Sequence, residues 1–122
     1  MKYVALLTNL QDEIDSWAAM STEEAQAARA EEVPKWEALF NELGPAGVVQ
    51  FGAELDVPAT AKTVRVRDGE TIVTDGPYAE TKEQIGGVVE LDCEDLDHAI
   101  SIAARIPLAA KGSVELRPVI EH

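Results

Sequence analysis

The chain has 122 residues, of which 46% are apolar and 27% charged, the balance of a folded domain rather than a disordered segment. Twenty-three acids against ten bases leave a net charge of −13. That argues against nucleic acid and against anionic membrane surfaces as partners, because both are held by clustered Lys and Arg.

A length of this order predicts one domain, 1–122, that hides roughly two thirds of its unfolded surface. Tyr3 to Leu7 is too short an apolar run for a signal peptide, and no stretch approaches the ~18 apolar residues of a membrane span. The expectation is a cytoplasmic protein. The lone Cys93 excludes an intrachain disulfide and a cysteine-rich metal site. It reads either as a buried core thiol or as a nucleophile, and no His stands near it in sequence.

Residues 2–8 (KYVALLT) predict a strand that is apolar at nearly every position, so it is covered on both faces. Residues 9–20 read as a loop with a short helical turn. Ser21 with Glu24 three residues on is a capping box opening a helix, which Pro34 should break, kink or restart. Beyond it Trp36, Leu39, Phe40 and Leu43 share one helical face, and Gly44-Pro45 ends the helix. Residues 47–55 predict a second strand. Thr63–Arg67 and Glu70–Thr74 alternate around Asp68-Gly69, a β-hairpin. Asp75-Gly76-Pro77 is a hard stop, and a polar stretch leads through Gly86-Gly87 to a strand over 88–93. Glu94-Asp95 open a helix with the apolar stripe Leu96, Ala99, Ile100, Ala103 and Ile106, closed by Pro107. The last strand covers 113–120.

Without the hairpin the order is βαββαβ, the ferredoxin-like split βαβ pattern, so the fold class is α+β with an inserted β-hairpin. Two helices cover only one face of such a sheet. The strands nevertheless carry apolar side chains toward both faces, an exposed patch soluble monomers rarely tolerate. The expected cover is a second copy packed sheet to sheet, making the partner the chain itself, as a homodimer.

Phosphate-loop, dinucleotide, zinc-protease and nucleophile-elbow motifs are all missing. His98 and His122 are the only histidines, so no metal site and no cofactor is expected. The densest polar segment runs from Thr74 to Gly87. Asp75 reads as an Asx-turn that hydrogen-bonds the backbone ahead of it, or as a general base or ligand anchor. Tyr78 either lids a pocket or packs on a neighbour. Glu80 and Glu83 bracket Lys82, which a local ion pair explains. Gly86-Gly87 allow close approach of a neighbouring backbone or a ligand.

The runs Thr63–Gly69, Asp75–Gly87, Ala103–Pro107 and Gly112–Pro118 together resemble the YCII-related, DGPF-domain family, with Tyr78 where the Asp-Gly-Pro-Phe signature has Phe. The resemblance covers nearly the whole chain. It implies a dimeric α/β-barrel of ferredoxin-like protomers. It further implies, for relatives proposed as enzymes, a His–Asp pair in a pocket, and for others a link to extracytoplasmic-function sigma factors. Residues 28–37, where the pocket histidine is expected, contain none. Asp75 would then act with Tyr78, Lys82 or a carboxylate of the first helix. Trp36, Asp75, Gly76, Pro77, Tyr78 and Glu80 are the candidate ligand-binding residues, with core packing the favoured reading of Trp36. The leading expectation is a pocket between the sheet and the first helix, walled by residues 75–82. It would bind a small organic molecule, with proton-transfer chemistry on a cyclic or aromatic substrate. The alternative is a non-catalytic ligand-sensing or protein-interaction module in sigma-factor regulation.

Overall fold

A computed structural model describes residues 1–79 and 81–122. The chain runs β1 (Lys2–Leu10), α1 (Gln11–Ala18), α2 (Thr22–Leu43), β2 (Val49–Glu54), β3 (Lys62–Arg67), β4 (Glu70–Asp75), β5 (Glu83–Asp92), α3 (Leu96–Ala103) and β6 (Ser113–Pro118). Short 3-10 turns at Pro58–Thr60 and Pro107–Ala110 connect β2 to β3 and α3 to β6. Four strands pair in the order β2-β5-β1-β6, every neighbour antiparallel. Each crossover spans one intervening strand, which is the ferredoxin-like arrangement expected from the element order. β3 and β4 form a separate two-stranded sheet, the expected hairpin, and Val64, Val66 and Val73 on it stay exposed.

The strand register sorts the side chains into rows. Toward the helices lie Val49–Leu91–Tyr3–Pro118, then Gly52–Val89–Ala5–Leu116, then Glu54–Gly87–Leu7–Val114. On the other face lie Phe51–Glu90–Val4–Arg117 and Ala53–Val88–Leu6–Glu115. Tyr3, Ala5, Leu7, Val89 and Leu91 are buried, whereas Val4, Leu6 and Val88 between them are only half-buried. The expected apolar second face is therefore present. The core closes over the Tyr3–Leu91 end, where Leu39 and Leu43 from α2 meet Ala99, Ile102 and Ile106 from the α3 side.

Four local expectations are corrected. Residues 9–20 are not mainly loop, because β1 continues to Leu10 and α1 follows directly. The acids Asp12 and Glu13 in the first turn of α1 suit the positive end of its dipole. Pro34 does not break α2, which runs through it for 22 residues. Only the ordinary partner of the Ala30 carbonyl is forfeited, a cost the packing of Trp36, Leu39 and Leu43 outweighs. β5 begins at Glu83 rather than 88, since the longer β1 offers Thr8, Asn9 and Leu10 as partners for Ile85, Gln84 and Glu83. Asp75 does not form an Asx-turn. Its carboxylate accepts from Lys62 Nζ, and the turn is made by Gly76 at φ 93°, a left-handed conformation that favours glycine.

Both expected helix openings hold, at Ser21 and at Glu94-Asp95. Ser21 Oγ accepts from the Glu24 amide at 3.1 Å and donates to its carboxylate at 3.0 Å. Asp95 accepts from the His98 amide at 2.8 Å. His98 itself serves the same turn, with Nδ1 accepting from the Glu94 amide.

Candidate functional site

α2 has 22 residues and is about 33 Å long, whereas the six-residue strand β2 spans only about 20 Å. The helix therefore runs well past this edge strand. Its C-terminal half is seated by Leu39 and Leu43. Its N-terminal half stands over the rows Gly52–Val89 and Glu54–Gly87–Leu7, where glycine supplies no side chain to fill the gap. The result is a cleft of about 490 Å³ between α2, α1 and the sheet, within the range of small-molecule sites.

Each helix turns one face to this cleft. α1 contributes Glu13, Ile14 and Trp17, and α2 contributes Arg29, Glu32, Val33, Trp36, Glu37 and Phe40. Those spacings of three, four and seven are one helical stripe. The chain has two tryptophans and both line the cleft. Trp36 stacks at a tilt on Phe40, ring centroids 5.9 Å apart. The floor is apolar or bare backbone, with Leu7, Gly52, Gly86 and Gly87. Gly86 is the extra residue of a bulge in β5 opposite Leu7 and Thr8 of β1, and a Cβ on it would press on the Asn9 side-chain amide. The expected close approach at Gly86-Gly87 is thus real. It places the Asn9 amide in the cleft lining, and no hydrogen bond from that amide is made among the described residues.

Two ion pairs tie α2 across the cleft. Arg29 Nη2 meets Glu54 Oε2 of β2 at 2.8 Å, and Lys111 Nζ meets Glu32 Oε1 at 3.4 Å. The Glu54 carboxylate raises the Arg29 guanidinium pKa further above its ordinary value. Glu32 feels opposing influences. Burial pushes its carboxyl up, but the Lys111 hydrogen bond and the charges of Lys111 and Lys35 together hold it below the usual carboxylate range.

The residues expected from the sequence fall into two groups. Trp36 lines the cleft while also packing against the core. Asp75, Gly76, Pro77, Tyr78 and Lys82 do not line it, which corrects the expected wall of residues 75–82. Asp75 is 86% exposed at the end of β4 and is bonded to Lys62. Tyr78 is exposed with the Arg65 guanidinium 5.5 Å above its ring. Lys82 is exposed, and its carbonyl accepts from the Gln11 amide at 2.6 Å. Glu80 lies outside the described residues. Among those described, no cluster of His, Cys, Asp and Glu has the geometry to hold a metal ion, and no helix is long and apolar enough to cross a membrane.

Sequence reasoning missed Trp17, Arg29, Glu32, Glu54 and Lys111. Only the Ile14–Trp17 spacing in the supposed loop carried a signal. The ion pairs join residues 25 and 79 positions apart and are invisible locally. The profile of the YCII-related domain matches residues 1–122. The chain is 35% identical over 121 residues to an uncharacterised protein of Rhizobium meliloti (strain 1021), covering 98% of this chain and 92% of that protein.

Proposed function

The chain belongs to the YCII-related domain family, and from its cleft we propose that it is a cytoplasmic homodimer that binds a small, ring-bearing organic molecule beneath α2. The observation that carries this reading is the cleft itself: about 490 Å³, floored by Leu7 and three glycines and walled by both tryptophans of the chain. Flat aromatic walls over a side-chain-free floor suit a planar ring. Asn9 supplies a neutral amide that can donate to and accept from a ring substituent.

Binding is a better account of this cleft than proton transfer. A general base works best with its pKa near the operating pH, and Glu32 is held in the opposite direction by two lysines. Asp75, the base expected from the sequence, is on the exposed hairpin end and already paired. The dimer reading rests on the second sheet face, where Val4, Leu6 and Val88 are half-buried and Phe51 is 58% exposed. A matching face on a second copy would remove that surface from water. Sedimentation at micromolar concentration should give a dimer, and Val88→Asp should give a monomer. A wild-type monomer would overturn the dimer reading.

The binding reading is tested through Gly52. A Cβ at Gly52 finds its nearest neighbours at 3.8 and 3.9 Å, so larger side chains are accepted by the backbone and grow into the cleft. Small aromatic compounds should quench the tryptophan fluorescence of the wild type and raise its melting temperature. A folded Gly52→Leu variant should show neither effect. Equal responses in the two proteins would overturn the assignment of the cleft.

A further inference from the structure

We infer that the cleft selects a ring-bearing ammonium ion over neutral or anionic rings of the same size, an inference that rests on the binding reading above. Its walls set the ring preference: Trp17 and Trp36 face the same cavity from α1 and α2, with Phe40 packed at a tilt against Trp36. Its charges set the sign. Five carboxylates line the cleft, from Glu13, Glu32, Glu37, Glu54 and Asp56, against the two cations Arg29 and Lys111.

Both cations are already committed. Arg29 is paired with Glu54 and Lys111 with Glu32, so an anionic ligand would have to compete with a carboxylate already in place. Asp56 is occupied too, accepting from the Val57 amide at 2.7 Å. Glu13 and Glu37 have no ion-pair partner among the described residues. They sit next to the two aromatic walls in sequence register, Glu13 one turn before Trp17 and Glu37 beside Trp36. A cation between them gains the attraction of two carboxylates and the π-faces of two indoles. The net charge of −13 on the whole chain acts in the same direction over longer range.

Three probes share one ring and differ in charge: benzylammonium, benzyl alcohol and benzoate. Both tryptophans line the cleft, so intrinsic fluorescence reports on this site alone. Benzylammonium should bind about threefold to tenfold more tightly than benzyl alcohol, as expected for two exposed charge contacts, and benzoate more weakly than either. Raising the salt from ~0.1 M to ~1 M should shrink that preference. The double variant Glu13→Gln, Glu37→Gln should bring benzylammonium to parity with benzyl alcohol. Both positions are exposed, so the variant retains its fold, verified by its melting curve. Benzoate binding as tightly as benzylammonium, or a preference surviving in the double variant, would overturn the charge selection. Benzyl alcohol quenching a folded Gly52→Leu variant as it does the wild type would instead overturn the cleft reading beneath it. Absence of quenching by all three probes at millimolar concentration would overturn both.

Discussion

Gly112, where the chain turns from the Pro107–Ala110 segment into β6, is the position at which one methyl group should do the most harm. A Cβ built there would fall under 3.0 Å from the Thr8 carbonyl oxygen, a separation real Cβ atoms essentially never show. The atom it meets is backbone and sits in the central strand β1, so it cannot swing aside. Relief requires β6 to leave β1 at its first pair, Thr8↔Ser113. That pair carries the Thr8 hydroxyl bond to the Ser113 carbonyl at 3.1 Å and a second bond between the two hydroxyls. Two hydrogen bonds at about 1 kcal/mol each, plus about 1–3 kcal/mol for overpacking, give about 3–5 kcal/mol for Gly112→Ala. An unfolding entropy of about 2.1 cal/mol/K per residue makes that a fall in melting temperature of roughly 12 °C or more. Gly52→Ala is the internal control. Its new methyl finds ordinary contacts at 3.8 and 3.9 Å, and its stability should stay within about 0.5 kcal/mol of wild type. Thermal and denaturant unfolding of both variants decide the matter. A Gly112→Ala protein melting within about 3 °C of wild type, or a Gly52→Ala protein losing as much, would refute the argument from backbone crowding.

Three further outcomes follow from the same structure. Pro34→Ala restores an amide donor to the Ala30 carbonyl at an exposed position in α2 and should stabilise by about 1–2 kcal/mol; a lower melting temperature would count against a continuous helix there. Glu32 has a carboxyl pKa below its unfolded value, so its contribution to stability is present above the unfolded carboxylate pKa and is lost as pH falls through the folded one. Glu32→Gln should therefore be less stable than wild type at neutral pH, with the gap closing in acid denaturation toward pH ~3; a gap independent of pH would contradict the ion pair with Lys111. Cys93 is 4% exposed, and burial together with Asp92 pushes its thiol pKa up. A thiol reagent near pH ~8 should modify it only as fast as the protein opens and fully once it is unfolded; rapid labelling of the native protein would show an accessible thiolate instead.

What could be read from residues alone was whatever short-range patterns encode. Alternation around Asp68-Gly69 identified the hairpin, Ser21 with Glu24 identified the start of α2, and the stripe from Leu96 to Ile106 identified α3. The doubly apolar strands announced a sheet with apolar side chains on both faces. Those patterns sufficed for the ferredoxin-like topology, because right-handed crossovers leave few other ways to connect such elements. Where the local reading failed, long-range pairing overrode it. Packing carried α2 through Pro34, and β1 drew β5 five residues earlier than its own composition suggested.

The candidate site was hardly legible, and the reason is geometric. The most distinctive segment in sequence, Asp75 to Gly87, places Asp75 and Tyr78 on exposed positions outside the cleft. The cleft is instead the space left where α2 outruns the edge strand β2 and where glycines face the helix. Trp36 belonged to it by helical spacing, but Trp17 lay in a segment that reads as loop. Arg29, Glu32, Glu54 and Lys111 carry no motif and became a site only when α2 crossed the sheet. Length, composition, charge and residue pattern by themselves pointed to a single acidic α+β domain. Only the tertiary structure decided where its empty space lies and which carboxylates face it, because a cavity belongs to residues far apart in the chain.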